Sequence, residues 1–282
     1  MYPAKVLLFG EHTILRGGRG LAVPYPARAL RWVQATPDER LLKFSAYLRT
    51  IFAGEDLLDA DQLEDHLSAG WVLAGDIPTG YGLGSSGAVC AACWDYAATE
   101  QGRQLSGEAL RHALARMEQY FHGSSSGTDP LVAYLNQPVS LGTGAPTKVN
   151  LPANWNESFF LVDTGRERQA STLIESFTSR YDHLPDFALR VNEHWTTPAD
   201  NAITALLTND RAQLTRNVKQ VSDFQRAVLP EFIPAAYHDR WQGPHHYLKL
   251  CGAGGGGMLL GYLPDPEKRG SLTETFGAVE WL

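Results

Sequence analysis

Residues Ile77 to Cys90 read I-P-T-G-Y-G-L-G-S-S-G-A-V-C. Glycines at 80, 82, 84 and 87 surround the pair Ser85-Ser86. A short apolar run, Gly70 to Ala74, stands before this stretch, and a helix-like run, Ala88 to Thr99, follows it. The order is strand, glycine-rich loop, helix start. Glycine tolerates φ > 0 and has no Cβ, so its backbone N–H groups can turn inward. A helix start adds unpaired N–H groups and the positive end of the helix dipole. Together these make an anion site of phosphate size, with a plain turn as the alternative reading of such a loop taken alone. No lysine follows the last glycine, so the loop is not G-x-x-x-x-G-K-[ST], and the serine pair has no place in a dinucleotide fingerprint. Hydroxyls at a helix start suit a phosphate oxygen or Mg²⁺.

The chain around this loop has 282 residues, 44% hydrophobic and 20% charged, with a formal net charge of −7. That composition describes a globular protein with a sizeable core. Basic residues are scattered, which argues against a nucleic-acid surface or a polybasic membrane patch. No apolar run reaches the length of a membrane span, and the start, M-Y-P-A-K-V, lacks the pattern of a signal peptide. The cysteines, Cys90, Cys93 and Cys251, are odd in number and few, as in a reducing compartment such as the cytoplasm. Cys90 and Cys93 form C-x-x-C, read as small apolar residues on one helix face rather than a zinc or redox pair.

Upstream, Ala4 to Phe9 is a strand, apolar except for Lys5. A buried strand rarely tolerates an unpaired ammonium, so Lys5 either reaches solvent or aims at an anion in a cleft. Glu11 and His12 follow at the strand exit. Residues 21 to 34 suggest one or two strands interrupted by Pro24 and Pro26, which suit an edge or a bend. Leu41 to Phe52 is strand or helix, and Asp59 to Ser68 a short acidic helix or loop. Downstream, Ser106 to Phe121 is an amphipathic helix with Leu110, Leu114, Met117 and Phe121 on one face and Ser106 as its cap. Taken alone, Glu118 on this helix reads as a solvated carboxylate. The helix runs into H-G-S-S-S-G-T-D, His122 to Asp129. Strands are expected at Val139 to Leu141 and Phe159 to Asp163, and helices at Ala170 to Ser179, Asp186 to Thr208 and Ala212 to Val228. Lys249 to Leu263, K-L-C-G-A-G-G-G-G-M-L-L-G-Y-L, reads as strand, glycine turn, strand. Consecutive glycines cost backbone entropy, so close approach to another backbone or a ligand is their expected reason.

Three separated motifs now stand together: P-A-K-V-L-L-F-G-E-H (3–12), P-T-G-Y-G-L-G-S-S-G-A (78–88) and K-L-C-G-A-G-G-G-G (249–257). In order and spacing they resemble the signature motifs of the GHMP small-molecule kinases, and G-E-H-T-I-L with H-G-S-S-S-G-T-D is most similar to the mevalonate kinase branch. Ile14 stands where galactokinases carry a sugar-binding aspartate. The branch motif H-G-x-P-S-G-x-D has proline where this chain has Ser125, and a Gly-Gly after the aspartate is replaced by residues 135–138, L-N-Q-P.

The resemblance implies a two-domain α+β fold, with a ribosomal protein S5 domain 2-like N-terminal domain (1–165), a ferredoxin-like C-terminal domain (166–282) and ATP in the cleft between them. It implies transfer of the ATP γ-phosphoryl group to a hydroxyl of a small anionic acceptor, mevalonate in isoprenoid precursor synthesis. A phosphomevalonate or sugar kinase, or a catalytically silent nucleotide sensor, are the alternatives. By the same resemblance Asp129 is the catalytic base and Lys5 its partner. Pro78, Gly80, Gly82, Leu83, Gly84, Ser85, Ser86, Gly87, Gly254 and Gly255 hold the nucleotide. Ser86 and Glu118, the latter eleven residues before Asp129, hold Mg²⁺. Glu11 and His12 face the acceptor, with Arg16, Arg166 and Arg168 as weaker carboxylate-binding candidates. A homodimer is compatible with the family; nucleic-acid and membrane partners are not expected.

Overall fold

Strand β1 (Tyr2–Phe9) is buried along most of its length, because Ala4, Val6, Leu8 and Phe9 all turn into core. In this computed structural model, which describes residues 1–168 and 170–282, β1 pairs antiparallel with β2 (Gly20–Gln34), Lys5 lying opposite Pro24. The break expected at Pro24 and Pro26 does not occur: β2 is one strand of 15 residues. The prolines fall between its partners β4 (Val139–Leu141), which covers residues 20–22, and β3 (Trp71–Gly75), which covers residues 30–34. There the missing proline N–H deprives no ladder partner. A two-residue β5 (Thr147–Lys148) pairs antiparallel with β4 at the sheet edge.

Helices cover this first sheet. The uncertain stretch 35–70 resolves into α1 (Glu39–Ile51), capped by Asp38, and α2 (Ala60–Ser68), capped by Asp59. Each aspartate accepts a hydrogen bond from a first-turn N–H, the ordinary reason a helix starts there. Next come α3 (Ser85–Ala97), the short α4 (Glu100–Gln104), α5 (Gly107–His122) and α6 (Thr128–Leu135). Ser106 precedes α5 without a side-chain cap bond, and Phe121 is half-exposed against Phe44 rather than buried. Leu110, Leu114 and Met117 are buried as the pattern predicts. Cys90 and Cys93 sit in apolar core on α3, where burial pushes the Cys93 thiol up to about 12.

Phe159–Asp163 (β6) belongs to a second antiparallel sheet, in the order β7-β8-β6-β9. Its other members are β7 (Tyr247–Leu250), β8 (Met258–Tyr262) and β9 (Glu280–Trp281). The change of sheet thus lies between Lys148 and Phe159. Helices α7 (Ala170–His183), α8 (Pro185–Val191) and α10 (Arg211–Val228) pack with this sheet, α9 (Thr197–Leu207) packs on α10 and reaches β1 and β2, and α11 (Gly270–Phe276) precedes β9. A π turn, Asn192–Thr196, joins α8 to α9. It comes just before Pro198, whose ring cannot continue the i→i−4 ladder. The apolar core around Phe159, Leu161 and Tyr262 is continuous with that under β1, including Val6 and Phe9. No helix among the described residues is long and apolar enough to cross a membrane.

Candidate active site

The glycine loop is fixed from both ends of the chain. Lys5 N–H donates to Leu83 O (2.8 Å), Met258 N–H to Tyr81 O (3.2 Å), and Arg168 N–H to Gly80 O (3.1 Å). Gly80, Gly82 and Gly84 all have positive φ, which turns this short loop into the start of α3. Leu83 points the other way, fully buried, as the loop's anchor. Gly87 is needed for a close approach: a Cβ there would lie 2.7 Å from the Asp129 backbone. The first turns of α3 and α6 are therefore in contact, and two positive helix ends face one place.

Into that place comes the Lys5 ammonium, whose Nζ lies 2.8 Å from Asp129 Oδ1 and 3.4 Å from Gly82 O. The sequence left open whether Lys5 reaches solvent; it is buried instead, with Asp129 partly open beside it. Ser86 Oγ, one helix turn away, donates to Glu118 Oε1 at 2.9 Å. Glu118 is buried, not the solvated helix carboxylate of its isolated reading. Burial and then the Asp129 charge push its carboxyl up to about 7, against the pull of Ser125, Ser86 and Lys5.

Two side chains join that the sequence reading did not assign. His122 Nε2 lies 3.0 Å from Ser86 Oγ, and Ser125 Oγ donates to Glu118 Oε2 at 2.5 Å. The i, i+4 spacing of Glu118 and His122 was the available signal, since it stacks them on one helix face.

The donor set suits a hard divalent cation. Ser86 and Glu118 offer oxygens side by side, and Glu118 is a buried carboxylate repelled by a second one, a charge conflict that a cation relieves. Mg²⁺ typically takes only one or two protein oxygens, with waters and phosphates for the rest. Among the described residues there is no cluster of three or more acidic, histidine or cysteine ligands, so Ser86 and Glu118 are the protein oxygens that would hold such an ion.

Glu11 and His12 do not line this opening. The Glu11 side chain is 1% exposed and paired with Lys249 Nζ at 2.9 Å, and Gln225 Nε2 donates to the same oxygen at 2.8 Å. The expectation that Glu11 faces the acceptor is corrected: it is a buried counter-ion joining the first and third motifs. His12 is buried under Phe177, Trp195 and Phe232, with Nε2 3.0 Å from Ala253 O. Its direct role at the acceptor is likewise not seen in this arrangement. Burial, helped by the Arg168 charge, lowers its imidazole to about 4.

The third motif packs beneath the loop through Gly257, where a Cβ would lie 2.6 Å from Tyr81 O. Gly254 and Gly255 face protein instead, against Phe232 and Leu173. Of the weaker arginine candidates, Arg16 is held by Asp182 at the surface, and Arg166 is exposed, its carbonyl accepting from Gly257 N–H. Arg168 is different: Cβ atoms at Gly82 and Gly252 would lie 2.7 and 2.4 Å from its Nη1, so its guanidinium sits between the loop and the third motif.

Known proteins share the fold. A family model described as GHMP kinases N terminal domain matches residues 51–137. A protein of Pyrococcus furiosus named mevalonate kinase is 24% identical, over 94% of this chain and 89% of its own length. In fold, the chain is similar to the L. major mevalonate kinase solved with R-mevalonate (TM-score 0.67, 16% identity, 99% and 93% of the two chains). It is equally similar to the Streptococcus pneumoniae phosphomevalonate kinase (TM-score 0.68, 14% identity, 100% and 96%). With its three motifs brought to one site, the chain is similar to the GHMP kinases, a family of small-molecule kinases, and carries a match to their N-terminal domain over residues 51–137.

Proposed function

We propose that the chain transfers the γ-phosphoryl group of ATP to a hydroxyl of mevalonate, giving phosphomevalonate and ADP. The observation that carries this reading is the Lys5–Asp129 pair, 2.8 Å apart, set against the glycine loop. N–H groups of the loop and the α3 start would cradle the nucleotide phosphates. The acceptor oxygen forms a bond to Pγ as the bond from Pγ to the bridging oxygen of ADP breaks. The hydroxyl proton passes to an Asp129 oxygen. Such a transfer is mostly positioning and electrostatics, and here the positive groups are chain-borne: Lys5, the helix starts, and Arg168 across the loop. Ser86 and Glu118 would hold Mg²⁺, which when bound neutralises phosphate charge. Arg168, lying between the loop and the third motif, would be available to the carboxylate of an anionic acceptor, which supports mevalonate over a neutral sugar. The relatives' common name supports the same choice. The proposed domains are residues 1–165 and 166–282, with the site between the two units; β6, at the end of the first, pairs with the second sheet.

The test is a coupled assay of ADP release with mevalonate, phosphomevalonate and galactose, on wild type, Asp129→Asn and Lys5→Met. Turnover with mevalonate, lost at least about a thousandfold in both variants while nucleotide still binds, is the expected result. Near-wild-type rates in either variant overturn the mechanism. Turnover only with phosphomevalonate or galactose reassigns the acceptor, and nucleotide-induced thermal stabilisation without any turnover marks a sensor.

A further inference from the structure

Glu118 has two oxygens to place in a buried position. One accepts from Ser86, which the proposed reading makes a cation ligand beside it. The other accepts from Ser125. The Ser125 hydroxyl has one proton, and its orientation is set from behind, because its oxygen accepts the Gly127 N–H at 2.9 Å. Gly127 in turn packs closely on α5, where a Cβ would lie 2.3 Å from Arg111 O. A short relay thus runs from the Gly127 N–H through Ser125 to the Glu118 carboxylate. The neighbouring Ser126 is exposed and pairs with Thr128 instead, donating to its Oγ1 and accepting its N–H, and Ser124 is exposed. Ser125 is also where the chain departs from the motif it resembles.

We propose that Ser125 is a positioning residue for the phosphoryl transfer: by fixing one oxygen of Glu118 it holds the other at Ser86, in the orientation that receives the divalent cation. The proposal rests on the reading of Ser86 and Glu118 as the cation's protein ligands. A partner behind a ligating carboxylate is typically worth 10–100-fold in metal affinity. Removing the Ser125 hydroxyl leaves Glu118 Oε2 without this donor and free to turn from Ser86.

The experiment uses the full chain with ADP and measures free Mn²⁺ by electron paramagnetic resonance, Mn²⁺ serving as the probe for the site. Thermal unfolding and the Mg²⁺ dependence of turnover accompany it. Ser125→Ala should weaken Mn²⁺ binding about tenfold or more. It should raise the Mg²⁺ needed for half-maximal rate by the same factor and leave the melting temperature within about 2 °C. Ser125→Thr, which keeps the hydroxyl, should restore affinity to within about twofold, and Ser124→Ala should match wild type. Unchanged Mn²⁺ affinity in Ser125→Ala overturns the proposal, as does a threonine variant that binds no better than alanine. Glu118→Gln separates the two levels. If it weakens Mn²⁺ binding while Ser125→Ala does not, only the role of Ser125 falls. If it binds Mn²⁺ like wild type, the cation site falls and the proposal with it.

Discussion

Lys249→Met tests the buried pair that joins the first and third motifs. Both side chains are 1% exposed, with Nζ 2.9 Å from Glu11 Oε1. The ammonium also donates to Leu250 O and lies 5.6 Å from the Phe9 ring centre, so a methionine of similar length stays in apolar contact. Burial pushes the Glu11 carboxyl up, and Lys249 is the largest influence pulling it down. Without the lysine, Glu11 folds as the neutral acid rather than as an unpaired buried charge. Relative to a carboxyl of the ordinary value, 4.5, that costs about 3 kcal/mol at pH 7 and about 1 kcal/mol at pH 5; wild type, whose Glu11 is itself pushed up by burial, carries part of this already, so these figures are upper bounds on the difference. Because the folded-state value lies above the unfolded one, this group's contribution is complete below 4.5. It is lost as pH rises toward the folded value. At roughly 2 °C per kcal/mol for a chain of this length, calorimetry should show the variant melting up to about 6 °C below wild type at pH 7. At pH 5 the gap should shrink to about 2 °C or less. A gap of equal size at both pH values, or no gap at pH 7, refutes the reasoning.

Two other perturbations follow from the same region. His12 folds neutral, its imidazole lowered to about 4 from 6.5, so stability is full above 6.5 and falls with decreasing pH until about 4, by on the order of 3 kcal/mol. Urea titrations should show His12→Gln losing that slope. Gly257→Ala puts a Cβ 2.6 Å from Tyr81 O at a φ of +68°. Displacing the carbonyl that anchors the glycine loop should raise the KM for ATP about tenfold or more, read from initial rates, with a smaller effect on the acceptor KM.

What could be read from the sequence was what local pattern encodes. The glycine loop, β1, and the α3 and α5 helices follow from spacing within a dozen residues, and Asp129 and Lys5 follow from motif positions. The long β2 was harder to read, because whether a proline breaks a strand depends on which ladder partner faces its missing N–H. Residues 35–70 have weak periodicity, and their helices are marked chiefly by the caps Asp38 and Asp59. Glu11 was misread for a related reason. A carboxylate at a strand exit looks like a site residue until its counter-charge, Lys249, arrives from the other end of the chain. Ser125 and His122 escaped assignment because their meaning lies in the atoms they touch, Glu118 and Ser86.

The anchoring of the glycine loop by Lys5 on one side and Met258 on the other has a consequence for how the molecule is made. Residues separated by most of the chain must meet before this loop has its shape, and closing such distant contacts is slow. During synthesis the nucleotide-binding surface can mature only after β8 has left the ribosome, so capture of ATP should be among the last events of folding. Retention on an immobilised nucleotide would then select molecules in which the chain through β8 has reached the native arrangement.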